Sequence, residues 1–212
     1  MRLPRLLLSL AFLGLAAGSA RADDTKEFLK ADNWEGLEPY WKIDGTTVTG
    51  TAKEDPKFNT FLCSKTKYAD FEMSFKVKMT GGRANSGIQV RSTVTDAKKF
   101  VVHGPQCDMG QQYWGSLYGE GVGGMMLASP GDFVKKHVKE TEFNDYALTV
   151  KGTHFTIKVN GETTVDKDFP KTPDKKPTAE TGIIAFQLHQ GGAMTVEFKD
   201  IKFTDLSKPK SK

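Results

Sequence analysis

The chain of 212 residues carries only two cysteines, four histidines and three tryptophans, and these scarcities exclude several classes of protein. Two cysteines cannot build a disulfide-dense scaffold or a four-thiolate zinc site. Neither Cys63 nor Cys107 stands at metal-ligand spacing from the other or from a histidine. The pair could bridge in an oxidising compartment, but spacing does not show that two Cβ atoms meet, and two buried thiols are the alternative. Beyond the first residues, no apolar run approaches the roughly 20 residues needed to span a bilayer. There is no helical stripe of useful length and no internal repeat. The glycines at 115, 119, 121, 123 and 124 are not followed by Lys-Ser or Lys-Thr at phosphate-loop spacing, and they suit a loop at a sheet edge.

One short apolar run is present, residues 6–17, preceded by Arg2 and Arg5 and closed by Ala20-Arg21-Ala22. A basic start, a brief apolar stretch and a small-x-small site describe an export signal, with cleavage expected after Ala22. The run is too short for an anchor. The expectation is therefore a signal peptide over 1–22, one domain over 23–206 and a basic tail over 207–212, exported to a periplasmic or extracellular space. Without Arg2, Arg5 and Arg21, the formal net charge of +4 falls close to neutral. The remaining cluster, Lys208-Pro209-Lys210-Ser211-Lys212, reads as a solvated end, so nucleic acid is not an expected partner.

What is abundant is alternation. In residues 70–79, Phe71, Met73, Phe75, Val77 and Met79 alternate with polar residues, the pattern of a strand wet on one face. Tyr146, Leu148 and Val150 repeat it, as do Phe155, Ile157 and Val159, the last run ending in the hairpin dipeptide Asn160-Gly161. Met194, Val196 and Phe198 alternate, but Ile201 and Phe203 continue out of phase, which predicts a bulge near Asp200. Residues 171–181, rich in Pro and Lys, read as an exposed loop. Many short strands in one domain predict an all-β, two-sheet sandwich of jelly-roll type.

Four strands carry an unusual polar face: Gln89 with Arg91, Gln106 with Asp108, Tyr118 with Glu120, and Gln187 with His189. Ordinary solvent faces use Lys, Glu, Thr and Ser. Planar amides, a guanidinium, an imidazole and carboxylates are the groups that bond directionally to hydroxyls. Trp114 and Tyr113 lie nearby and are suited to stack on a sugar ring. These strands are expected to share a sheet and line a carbohydrate-sized groove. The alternative is that the pairs sit on different sheets and merely face water.

Three successive stretches resemble motifs of the 3-keto-disaccharide hydrolase domain family: Asn85-Ser86-Gly87-Ile88-Gln89-Val90-Arg91, Gly104-Pro105-Gln106-Cys107-Asp108-Met109-Gly110, and Tyr113-Trp114-Gly115-Ser116-Leu117-Tyr118-Gly119-Glu120. Two further stretches, residues 182–189 and 196–201, are similar to its C-terminal pattern, so the resemblance spans residues 41–206. It implies a concanavalin A-like lectin/glucanase jelly roll and action on sugars oxidised at C3. Such cleavage needs a base near C2, a stabiliser for the enolate and an acid for the leaving oxygen. The candidates are His189 or Asp108 as base, Arg91 as stabiliser and Glu120 as acid. Asn85, Gln89, Gln106, Trp114, Tyr118 and Gln187 are the substrate-binding candidates. Asp108, Glu120 and His189 are also ligand types for a divalent metal ion in place of Arg91, although no spacing demands one. A non-catalytic, lectin-like glycan-binding module is the alternative function.

Overall fold

The computed structural model describes residues 23–208. The expected signal peptide and the last four residues of the basic tail lie outside them. In chain order the strands are β1 (Trp34–Glu35), β2 (Trp41–Asp44), β3 (Thr47–Ala52), β4 (Thr60–Ser64), β5 (Phe71–Gly81), β6 (Asn85–Asp96) and β7 (Val101–Gly110). They continue as β8 (Leu117–Glu120), β9 (Gly124–Leu127), β10 (Asn144–Lys151), β11 (His154–Val159), β12 (Glu162–Asp168), β13 (Ile183–Leu188) and β14 (Met194–Asp205). The two α-helices of the described residues are short, α1 (Thr25–Phe28) and α2 (Phe133–His137), and no helix among these residues is long and apolar enough to cross a membrane.

The strands form two antiparallel sheets, one ordered β1-β4-β13-β6-β7-β8-β9 and the other β12-β11-β10-β5-β14-β3-β2. This is the expected jelly-roll sandwich. Its core is made by the alternating residues already visible in the sequence. Phe71, Met73, Phe75 and Val77 of β5 and Tyr146, Leu148 and Val150 of β10 face Ile88 and Val90 of β6 and Ile184, Phe186 and Leu188 of β13. Phe186 and Phe198 meet across the layers with ring centroids 4.9 Å apart. Asn160 and Gly161 close the β11–β12 hairpin, both at positive φ, as a two-residue turn with the sheet's own twist requires. The predicted bulge is at Asp200, whose φ is 54°, and the β14–β5 register shifts between Lys199 and Lys202. The glycines of residues 119–124 lie in or beside the β8–β9 hairpin, at the edge of the first sheet.

A second bulge decides the shape of the site. On β6, Gln89 pairs with Gln106 but Thr93 pairs with His103, so β6 has one residue more than its partner. The irregularity contains Arg91, at φ 47°. Past it, Val94, Phe100 and Val102 pack on Phe61, Cys63, Ile183 and Ala185 in a small apolar cluster separate from the main core. The first sheet thus has two dissimilar halves on its outer side, one apolar and covered, one polar and hollow.

Cys63 and Cys107 are free and buried. They lie on β4 and β7, with β13 and β6 between them. Three strand spacings are about 14 Å, twice the reach of a disulfide. They also belong to different apolar clusters. Burial pushes the Cys63 thiol up to about 12 and raises that of Cys107 still further, so two inert thiols is the outcome, not a bridge.

Candidate functional site

Period-two geometry sends odd-numbered residues of β13, and of β6 before its bulge, to the side of the first sheet away from the core, and even-numbered residues of β7 and β8 likewise. The register then aligns them in rows. Gln89 lies opposite Gln106, which lies opposite Tyr118. Gly87 lies opposite Asp108, and Phe186 opposite Ile88, which sets Gln187 beside Gly87. Glu120 lies opposite Gly104, one row further on. The middle of these rows is a cavity of about 350 Å³, at the small end of the roughly 300–1,000 Å³ usual for small-molecule sites.

Asp108 is the most constrained group in it. Only 5% of the residue is exposed. Its carboxylate Oδ1 accepts a hydrogen bond of 2.5 Å from Gln106 Nε2. From the core side, the buried Tyr146 hydroxyl donates to the Asp108 carbonyl at 3.2 Å, and the Gly115 N–H donates to the same oxygen at 3.0 Å. The Asp108 N–H is bonded to the Ser116 carbonyl. Burial raises the Asp108 carboxyl to about 7, opposed by the Gln106 bond and assisted by the nearby Glu120 charge. Tyr118 is raised too, first by burial and then by Glu120 and Asp108. A carboxyl that titrates near neutrality in a polar cavity is suited to take and return protons.

Of the residues expected from sequence, Asp108, Glu120, His189, Gln106, Tyr118, Gln187 and Asn85 all line this one cavity. The His189 ring Nδ1 lies 2.5 Å from the Gln190 carbonyl, which can only accept. Nδ1 therefore carries a proton, and Nε2 is the ring nitrogen left for a ligand.

Three expectations need correction. Arg91 is not in the cavity. The bulge turns it to the flank of the sandwich, where Nη2 bonds Asp70 at 2.7 Å, Nε bonds the Ala69 carbonyl at 2.8 Å and Nη1 bonds the Gly152 carbonyl. Trp114 is packed in the main core and offers no stacking face there. Tyr113 lines the cavity instead. Gln89 is fully buried behind Gln106 and is not among the lining residues. The metal candidates share a cavity, yet among the described residues no three of His, Cys, Asp and Glu come together closely enough to hold an ion. Asp108, Glu120 and His189 are not a ready-made ligand set.

Arg83, Asn59 and Gln111 line the cavity without having been expected. Arg83 supplies the cation that Arg91 does not, from the β5–β6 turn. A Cβ on Gly191, itself at φ 112°, would lie 2.7 Å from Arg83 Nε, so the bare backbone there gives Arg83 its place. The sequence signal was a turn arginine two residues ahead of the Asn85-x-Gly87 stretch, and turn arginines are too common to single out. Gly87 has a similar steric role, since a Cβ there would stand 2.6 Å from Gln106 Cγ. Gly87→Ala is expected to push Gln106 off Asp108 and to cost about 1–3 kcal/mol of stability, measured by urea unfolding, because the clash lies among buried groups and breaks their hydrogen bond.

A larger cavity, of about 640 Å³, lies on the outer side of the second sheet. Its charged residues are exposed, and Asp200 is paired with Lys76 at 2.7 Å. Nothing there is buried and poised as Asp108 is.

The fold has many relatives among solved structures. A candidate glycosyl hydrolase from Parabacteroides distasonis superposes with a TM-score of 0.61 at 19% identity, over 84% of this chain and 98% of that one. A second from the same organism gives 0.59 at 18%, over 89% and 99%. The carbohydrate-binding module CBM66 from Bacillus subtilis gives 0.54 at 14%, over 81% and 95%. At these identities the likeness is one of fold. Comparison with curated proteins returns no significant match. Sequence decides where structure alone does not: the model of the 3-keto-alpha-glucoside-1,2-lyase-like domain matches residues 24–204, and the chain belongs to that family.

Proposed function

We propose that this protein cleaves 3-keto-glycosides by elimination followed by hydration. The observation that carries the proposal is the buried Asp108 carboxyl, raised to about 7 and facing a polar cavity that also holds Glu120 and Arg83. The family's description supplies the substrate class.

A ketone at C3 acidifies the proton on C2. Asp108, as carboxylate, takes that proton, and the C2–H electron pair moves into the C2–C3 bond to form the enolate. The enolate oxygen is stabilised by Arg83. As the ketone re-forms, the electron pair moves into the C1–C2 bond, the C1–O bond breaks, and the departing oxygen takes a proton from Glu120. Water then adds across C1=C2: Glu120, now a carboxylate, takes one proton from the water as its oxygen bonds C1, and Asp108 returns its own proton to C2, which restores both groups. Gln106 and Asn85, with His189 Nε2, hold ring hydroxyls. Because the charge develops on the ketone oxygen and not on an oxocarbenium ion, the two carboxyls need not have the spacing of ordinary glycosidases.

The test is aglycone release from a nitrophenyl 3-keto-glucoside beside the unoxidised glucoside. Release from the ketone alone, slowed by deuterium at C2, is the expected result. Saturable binding of both sugars without turnover would instead make the protein a glycan-binding module and overturn the proposal.

A further inference from the structure

Behind Gln106 lies a chain of buried groups that the mechanism does not use. The Ser92 hydroxyl donates to Gln89 Oε1 at 2.7 Å, Gln89 Nε2 donates to Gln106 Oε1 at 2.9 Å, and Gln106 Nε2 donates to Asp108 Oδ1 at 2.5 Å. Ser92 Oγ has its room because a Cβ on Gly104 would stand 2.3 Å from it. Every amide gives its N–H₂ toward Asp108 and receives on its oxygen, so the chain has one direction, that demanded by an ionised carboxylate.

An Asp108 that has just taken a proton is a donor, and the same chain then presents it with another donor. Each end of an amide has nearly the same shape, so a half-turn exchanges oxygen and nitrogen without repacking. Reversed, Asp108 donates to Gln106 Oε1, Gln106 Nε2 to Gln89 Oε1, and Gln89 Nε2 to Ser92 Oγ. The Ser92 proton then has the Val90 carbonyl, 3.0 Å away. One further group favours two directions. Gln187 Nε2 is buried with no hydrogen-bond partner, while its Oε1 lies 3.5 Å from Gln106 Nε2. If Gln106 turns its oxygen to that place, a half-turn of Gln187 gives the orphaned N–H₂ an acceptor.

We infer that Ser92, Gln89 and Gln106 form a reversible amide relay whose direction follows the proton on Asp108, making Ser92 and Gln89 positioning residues for that carboxyl. The role of Asp108 as base is taken from the proposed function. The relay lets one carboxyl be fully satisfied both before and after proton transfer, which a fixed donor would not allow. The charged and titratable groups that face Asp108 are Glu120 and Tyr118 from β8, Arg83 from the β5–β6 turn, His189 beyond β13, Tyr113, and Tyr146 from behind.

Isotope-edited NMR of the wild-type protein, without substrate, reads the relay directly. Above the midpoint of the Asp108 carboxyl carbon, the Gln89 N–H₂ protons should show through-space contacts to the Gln106 side chain. Below it, those contacts should move to the Ser92 β-protons with the same midpoint. Contacts that stay in place while Asp108 titrates would overturn the inference, as would an Asp108 that does not titrate between pH 5 and 9. Ser92→Ala is expected to lower kcat on the 3-keto-glucoside about tenfold, the effect of one hydrogen bond, with KM unchanged. An unchanged kcat would count against the relay, as would a KM that rises in step. If wild type turns over no keto sugar, the mechanism fails, and the NMR experiment still decides the relay.

Discussion

Asp108→Asn is expected to lower kcat by about 10²–10⁴ and, at alkaline pH, to make the protein more stable. Loss of a general base costs about 10²–10⁴ in rate, and asparagine cannot take the C2 proton. The stability gain comes from the same burial that makes the base. Asp108 is raised from 3.8 to about 7 in the folded chain, so the native state holds the proton more tightly than the unfolded state does. That contribution is fully present below about pH 4 and is lost as pH rises through about 7. By pH 8 the buried charge costs up to about 4 kcal/mol, since each tenfold difference in proton affinity between the folded and unfolded chain is worth about 1.4 kcal/mol. Asparagine avoids this cost, and its Oδ1 still accepts from Gln106 Nε2. Thermal unfolding should show the variant level with wild type near pH 4 and higher by about 10 °C at pH 8. A gap equal at both pH values would remove the support for Asp108 as a buried base. In wild type, kcat/KM should fall about tenfold for each pH unit below 7, where less of the carboxylate remains.

The two arginines should give opposite phenotypes. Arg83→Ala removes the cation facing the proposed enolate and is expected to lower kcat by about 10²–10³, with Tm nearly unchanged because the side chain sits on an exposed turn. Arg91→Ala removes a guanidinium that is 3% exposed in its side chain and bonds Asp70 together with two backbone carbonyls. It leaves those carbonyls short of a donor and should cost about 3 kcal/mol of stability, toward the low end for a buried pair because Asp70 is one-third exposed. Activity per folded molecule should persist. Urea unfolding beside active-site titration separates the two effects. If Arg91→Ala instead abolished kcat at full stability, the assignment of the cation to Arg83 would be wrong.

That pair of residues also shows what could be read from the sequence. The sandwich was legible because Phe71 to Val77 and Tyr146 to Val150 alternate without interruption, and alternation is a property of neighbours along the chain. The bulge at Asp200 was legible for the same reason, since a phase slip is local. Seven of the ten site candidates met in one cavity because Gln106, Asp108, Tyr118, Glu120 and Gln187 sit on strands whose parity could be counted. Arg91 obeyed the same parity on paper. Its displacement comes from a residue inserted relative to β7, a mismatch between two strands that neither displays alone. Trp114 was misplaced because an indole suits a core as well as a sugar face. Arg83 was missed because its place depends on Gly191, more than a hundred residues away.

The strict division of β6, β7, β8 and β13 between an inner and an outer row has a consequence for how this protein can change over generations. Single substitutions on the outer row alter the ligand while leaving the core untouched, so new specificities can be sampled one side chain at a time. A one-residue insertion inside β7 that no bulge absorbed would instead exchange the rows, driving Asp108 and Gln106 into the apolar layer and Cys107 and Met109 into the cavity. Changes of length are thus best absorbed in the turns and in the hairpin beyond Arg91, which roofs one half of the sheet. For a library, the outer row is the set of positions to randomise, and that hairpin is the place to lengthen or trim.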